Sequence, residues 1–250
     1  MDPVRSYGDA LALVTVTRTA AAPRGLVASL PAATGRPVQV LHVDTGGAPP
    51  VPGATPVRIR EDVGRTAAVN RAVAALDQGV GWVVLADPQL EWAAGALDEL
   101  LAAAVRYPRA AALGPRLRTA SGADRASAGP LPTLGDALRG RVVAGPVPAG
   151  PVGALGTTCV LLRRVAWDSV DGFDARYPGC GVDPEPADLD LCDRLGRVGW
   201  LCVGVPTAEV TVPAGDAPCI LEPRDRGIRR YVHDRHGVPA RILMALARRN

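Results

Sequence analysis

The feature that most constrains this chain is a recurring alternation of short apolar runs, rich in Val and Leu, with longer amphipathic stretches. The runs Ala10–Thr17, 38–43, 82–86, 110–113, 158–162 and 201–205 have the length and composition of buried strands. Between several of them lie helical patterns, clearest at 66–76 and 94–107. The second sets Leu97, Leu100, Leu101, Ala104 and Val105 on one face before Pro108 stops it. Strands alternating with helices at this spacing predict an α/β fold with a mostly parallel sheet covered on both faces. In such sheets ligands are met at the carboxyl ends of the strands.

The 250 residues, 48% of them hydrophobic, suffice for one substantial core. The expected division is a single domain over 1–222 and a basic helical tail over 223–250, in which Ile242, Leu243 and Leu246 oppose Arg241, Arg248 and Arg249. That tail is suited to docking on the domain or touching an anionic membrane face. A formal charge of +3 with scattered arginines does not describe a nucleic-acid binder. All 28 basic side chains are arginine, which a coding bias explains and which also suits two-pronged contact with phosphate. The five cysteines show no C-x-x-C pair and read as reduced thiols. Cys159, Cys192 and Cys202 fall in apolar patterns, while Cys180 and Cys219 fall in loops. No run of about 18 apolar residues is present, and the first residues lack a signal-peptide hydrophobic region. The expectation is a cytoplasmic protein, peripheral at the inner membrane face.

Two carboxylates stand where strands end: Asp44, followed by Thr45, Gly46 and Gly47, and Asp87, followed by Pro88 and Gln89. Each also suits a turn cap. A third acidic region precedes a helix. In the segment 172–200, GFDARYPGCGVDPEPADLDLCDRLGRVGW, Leu189, Cys192, Leu195 and Val198 share an apolar side from Asp188 onward, while Asp190, Asp193, Arg194 and Arg197 point elsewhere. Asp188 at the helix start reads equally as a cap and as a catalytic group. Tyr177, beside that acidic loop, is a candidate acceptor contact. The stretch 119–156 is rich in Gly, Pro, Ala and Arg, the composition of a lid or binding loop, and 178–187 is a second variable loop. His42 reads as a hydrogen-bonded core histidine, and His233 and His236 as solvated. The four tryptophans read as core.

In their order, HVDTGG, EDVGRTAAVNRAV, LADPQLEW, ALGPRLRTASG, GALGTTCVLLRRVAWDSVDGFD and DLDLCDRLGRVGW resemble a family 2 glycosyltransferase of the glycosyltransferase A fold, in the actinobacterial rhamnosyltransferase-like branch that builds cell-envelope polysaccharide. The similarity runs from residue 10 to residue 236. It implies transfer of a sugar, with inversion, from a nucleotide-sugar donor to a hydroxyl of a saccharide or lipid-linked acceptor. It further implies Asp188 as the base, Thr17, Asp44, Gly64, Arg65, Asn70 and Asp87 on the nucleotide side, and Tyr177, Asp183 and Glu185 on the acceptor side. Asp87 would hold a divalent metal, Mg or Mn.

The chain departs from that pattern at the metal. Gln89 stands at the usual metal-binding carboxylate, Val212 where a His often completes the site, Ala187 before Asp188, and Thr19 at the first strand's usual Asn. An amide is a poor partner for a hard cation. Two outcomes fit: Arg65, Arg71 or Arg116 supplies the charge in a slow or metal-independent transferase, or the chain is an inactive relative that binds a nucleotide or serves as a partner subunit. A nucleotidyltransferase would carry a Gly-rich basic loop after its first strand, and TRTAAAPRG is not one. The G-x-G-x-x-G of a dinucleotide enzyme is missing as well.

Overall fold

The computed structural model describes residues 7–59, 63–138, 143–177, 184–213 and 224–236. The first part of the chain runs β1 (Ala10–Thr17), α1 (Arg24–Ala33), β2 (Val38–Asp44), β3 (Thr55–Arg58), α2 (Arg65–Ala74), β4 (Val80–Ala86) and β5 (Glu91–Trp92). It continues through α3 (Ala96–Arg106), β6 (Ala110–Thr119), β7 (Asp124–Arg125), β8 (Ala128–Gly129), α4 (Leu134–Leu138), β9 (Gly150–Val152) and β10 (Ala154–Leu155). The last part is β11 (Cys159–Arg163), α5 (Arg164–Asp168), α6 (Pro186–Arg197), β12 (Leu201–Val212) and α7 (Arg224–His236).

Among the described residues ten strands form one sheet, ordered β3-β2-β1-β4-β11-β6-β12-β5, with β7 beside β6 and β9 beside β12. Strands β1 to β4 are parallel, as are β6 and β12, whereas β11 runs against both of its neighbours, β4 and β6. The sheet is therefore mixed but mostly parallel.

Period-two alternation places successive side chains on opposite faces. Leu11 and Leu13 of β1 pack with Leu26 and Leu30 of α1 and with Leu97 and Leu100 of α3. Ala12 and Val14 face the other way, toward Val69 and Val73 of α2 and Leu189 and Leu195 of α6. Helices cover both faces, and every long strand is apolar on both sides. Helix α7 belongs to the second layer through Ile228, Tyr231 and Val232.

The strands lie where the apolar runs place them, several extended at their ends; β6 reaches Thr119 and β12 reaches Val212. Four sequence expectations change. Val105, assigned to the buried face of α3, is 80% exposed, because the stripe through Leu97, Leu100, Leu101 and Ala104 has turned away by the last turn. Val198 is 57% exposed, since α6 has already ended and Val198 is its C-terminal cap. Asp193, expected on an outer side of α6, is buried between Arg197 and Arg235 of α7. The stretch 119–156 is built into the fold: β8 pairs with β10, and Ala128, Val147, Ala154 and Leu155 enter the core. Cys159, Cys192 and Cys202 are buried free thiols, while Cys180 and Cys219 lie outside the described residues. The 222/223 boundary and the tail segment 237–250 also lie outside them. No helix among the described residues is long and apolar enough to cross a membrane.

Leu161 sits on β11 between β4 and β6 with no exposed surface. Leu161→Ala is expected to lower unfolding stability by about 2–5 kcal/mol, through lost burial and the cavity left behind, read as a shifted urea midpoint at unchanged slope.

Candidate active site

Strands β2, β1 and β4 end on the same rim. Thr17 pairs in register with Asp44, and Asp87 directly follows β4. Because β11 runs antiparallel to β4, its first residue Cys159 pairs with Ala86, which brings the preceding Thr157 and Thr158 to this carboxyl rim. The Asp87 backbone N–H donates to the Thr158 carbonyl at 2.8 Å, and the Thr158 hydroxyl donates to the Asp87 carboxylate. Helix α2 enters the rim through Gly64, whose φ of 78° is readily adopted by glycine. That entry turns Arg65 inward.

Arg65 is the hub. Its Nη1 donates to Thr157 Oγ1 at 2.8 Å and its Nη2 to the Thr157 carbonyl at 2.5 Å. The same guanidinium lies 3.4 Å from Asp87 Oδ1 and 3.6 Å from Glu185 Oε1. Thr157 passes the link on, its hydroxyl donating to Asp188 Oδ1 at 2.6 Å. A hydroxyl has one proton and two lone pairs, so Thr157 both accepts from Arg65 and donates to Asp188. Asp87, Arg65, Thr157, Glu185 and Asp188 thus form one connected network drawn from β4, α2, the start of β11 and the start of α6.

Local rules explain the acidic end. Glu185 and Asp188 form a reciprocal capping box on α6, with Pro186 in the first turn. Asp188 Oδ2 accepts from the Glu185 backbone N–H at 2.9 Å, and Asp188 has no exposed surface. The cap reading of Asp188 is therefore observed. Thr157 and the Glu185 N–H thus both donate to this carboxylate. Asp87, whose side chain is 35% exposed, has its carboxyl pushed above the usual range. Desolvation leads, Arg65 opposes it and Glu185 adds to it, and Arg125 of β7 is close enough to pull the other way.

Asp44 lies two strands from Asp87 on the same rim, about 10 Å away at ordinary strand spacing. Its Oδ1 accepts from the backbone N–H groups of Gly46 and Ala48 at 3.0 and 2.9 Å. Burial works against this carboxylate, but the N–H groups of Ala48, Gly46 and Gly47 outweigh it and hold the carboxyl below its usual range.

The donors around Asp87 do not compose a usual divalent-cation site. Gln89 is exposed, Val212 is buried in β12, and Asp87 and Glu185 both face a guanidinium. Among the described residues no three His, Cys, Asp or Glu side chains gather as a metal would require.

Comparison with known proteins follows the same lines. No protein-family model matches the chain. The N-acetylglucosaminyl-diphospho-decaprenol L-rhamnosyltransferase of Mycobacterium tuberculosis, from two strains, is 38% identical over a 220-residue alignment that covers 74% of this chain and 69% of that protein. The chain belongs to the family 2 glycosyltransferases, in the actinobacterial rhamnosyltransferase-like branch. Solved structures share its fold. GalNAc-T7 with UDP, GalNAc and Mn2+ has a TM-score of 0.61 at 12% identity, covering 81% of this chain and 43% of the longer neighbour. TarS residues 1–349 of S. aureus gives 0.59 at 11%, covering 90% and 64%. The mannosyltransferase PcManGT of Pyrobaculum calidifontis, with GDP-Man and Mn2+, gives 0.54 at 14%, covering 98% and 75%.

Within this glycosyltransferase the expected site residues divide into two groups. Asp87, Arg65, Glu185 and Asp188 converge, with Gly64 beside them and Asp44 along the rim. Thr17 is buried, its hydroxyl meeting His42 Nε2 at 2.7 Å; burial pushes the His42 pKa down against the pull of Asp44. Asn70 binds backbone, accepting from the Phe173 N–H at 3.0 Å and donating to the Phe173 carbonyl at 2.7 Å. Tyr177, expected at the acceptor, is only 1% exposed, and its hydroxyl donates to Asp234 of α7 at 3.1 Å. It is a core residue, placed there because α7 covers that side. Glu185, also expected at the acceptor, is buried as the α6 cap facing Arg65. Asp183 lies outside the described residues. Of the candidate arginines, Arg71 is exposed and Arg116 pairs with Asp124 at 2.7 Å. Sequence reasoning passed over Thr157, Thr158 and Arg125. A polar Thr-Thr step opening an apolar strand was the available signal for the first two.

Thr157→Val removes the hydroxyl between Arg65 and Asp188 while keeping its volume. A loss of about 1–3 kcal/mol is expected, the penalty for buried groups left unsatisfied, measured by chemical denaturation. Asp44→Asn should lower stability at neutral pH. The depressed native carboxyl contributes stability above its unfolded value of about 4 and loses it as pH falls through the native value. Thermal melts should therefore show the native–variant gap closing in acid.

Proposed function

We propose that the protein is an inverting rhamnosyltransferase that moves L-rhamnose from a nucleoside diphosphate donor to a hydroxyl of a sugar carried on a lipid diphosphate. The observation that carries this reading is the Arg65–Thr157 bridge between the strand-end Asp87 and the helix-start Asp188. It supports a reading in which a donor-side group and an acceptor-side base share one connected site. The 38% identity to the mycobacterial rhamnosyltransferase, named for a lipid-linked acceptor, supports the choice of sugar and acceptor.

In this reading the nucleoside lies along the rim of β1 and β2 by Asp44, and the diphosphate lies at the Gly64–Arg65 entry to α2, where the helix dipole favours negative charge. Thr17 and Asn70 act indirectly, Thr17 by fixing His42 and Asn70 by tying α2 to Phe173. Asp188 takes the proton of the acceptor hydroxyl. That oxygen attacks the anomeric carbon from the face opposite the diphosphate, a new carbon–oxygen bond forms, and the bond to the diphosphate oxygen breaks with its electron pair leaving on the nucleotide. One displacement gives one inversion. Thr157 and the Glu185 N–H hold the carboxylate in its orientation. General-base help of this kind contributes about 10² to 10⁴ in rate. An acceptor on a lipid is met at a membrane face, which the basic tail suits.

Asp188→Asn keeps an oxygen for capping and should fold. Transfer of radiolabelled rhamnose should fall by about 10² or more while nucleoside diphosphate affinity, by calorimetry, stays within about threefold. Transfer at the native rate would assign the base elsewhere, to Asp183 or Glu185.

A further inference from the structure

We infer that Arg65, seconded by Arg125, is the resident cation that faces the donor's diphosphate, occupying the position between two carboxylates that a divalent metal would otherwise fill. The inference rests on the donor-site reading above and specifies how that site handles charge.

Five observations converge on it. Arg65 touches Asp87 and Glu185 at once, at 3.4 and 3.6 Å, as a bridging cation does. Charge-assisted pairs at their best are about 2.7–2.9 Å, so both contacts are loose. A diphosphate able to take the guanidinium fork in parallel can draw it away. The anchor that does hold Arg65 tightly is neutral: Thr157 offers a hydroxyl at 2.8 Å and a carbonyl at 2.5 Å. The guanidinium is thereby aimed by groups that carry no charge. The side chain is 16% exposed, and at such a sheltered position a fixed positive charge acts more strongly than in bulk water. Arg125 of β7 lies near enough to Asp87 to add positive charge there. The donor set agrees, because Gln89 and Val212 stand where the resemblance places metal ligands.

Asp87 gives a test with opposite signs. As a metal ligand it would strengthen diphosphate binding, and its loss would weaken it. As a counter-ion that competes for Arg65, its neutralisation in Asp87→Asn should leave binding equal or tighten it up to about tenfold. The experiment is calorimetric titration of the full chain with UDP and with dTDP, in EDTA and in saturating Mn2+, with free Mn2+ followed by its paramagnetic resonance signal. The native protein should bind one of these probes with a Kd that Mn2+ changes by less than about threefold. Arg65→Met should weaken binding by about tenfold or more, Arg65→Lys should recover part of it, and Arg125→Met should lose less than Arg65→Met. Circular dichroism establishes folding; should Arg65→Met fail to fold, Asp87→Asn and Arg125→Met decide alone. Tightening of native binding by Mn2+ of about tenfold or more, or weakened binding by Asp87→Asn, overturns the arginine assignment and leaves the donor site standing. Absence of binding to either probe in both conditions overturns the donor site and the assignment with it.

Discussion

The placement of β11 against β4 governs the rest of the molecule. A strand laid antiparallel into an otherwise parallel run has its beginning, not its end, at the ligand rim. Here that beginning is Thr157–Thr158, and the register that pairs Cys159 with Ala86 fixes both threonines beside Asp87. Backbone hydrogen bonds set this position before any side chain is considered. Thr158 then holds Asp87, and Thr157 reaches Arg65 and Asp188. A parallel strand in the same slot would send the threonines to the opposite edge and leave the carboxylates unconnected.

Electrostatics turns this geometry into chemistry. Several acidic groups stand along one rim of the sheet, and burying them without partners would be costly. Each finds an answer of a different kind. Asp44 is held by three backbone N–H groups of a turn, Asp188 by a hydroxyl and a capping N–H, Glu185 by the helix it caps and by Arg65. Asp87 has the most exposed side chain of the four, yet desolvation, with Glu185 nearby, displaces its carboxyl upward against the pull of Arg65. The spread of environments separates three buried acids built into the framework from the partly exposed Asp87.

The second layer keeps the crevice in shape. Asn70 reads both backbone groups of Phe173, Thr66 donates to the Tyr177 carbonyl at 2.8 Å, and the Tyr177 hydroxyl reaches Asp234 of α7. Gly172 makes this possible, because with a φ of 66° and Trp167 at 2.6 Å from a would-be Cβ, a side chain has no room there. Helices α2 and α7 are in this way tied through the segment that leads toward α6. The same bonds explain why Tyr177 and Asn70 serve as framework where position alone suggested ligand contact.

The sequence by itself determined the layers, because period-two alternation and apolar stripes depend only on local spacing; β1 appears with the bounds its pattern implies, and Leu97, Leu100 and Leu101 are buried as their spacing requires. It also determined which acids stand at strand and helix ends, since Asp44, Asp87 and Asp188 follow from where the periodicity stops. Family likeness added the reaction class. Which polar groups meet was decided only by the tertiary structure. Nothing in the spacing of residues 65, 87, 157 and 188 announces that one guanidinium and one hydroxyl join them. Likewise Val105 and Val198 are exposed although their spacing favours burial, and Tyr177 and Asp193 are buried because α7 happens to cover them. Local patterns follow from neighbours in the chain, whereas contacts across 22 to 92 positions follow from strand direction and helix packing.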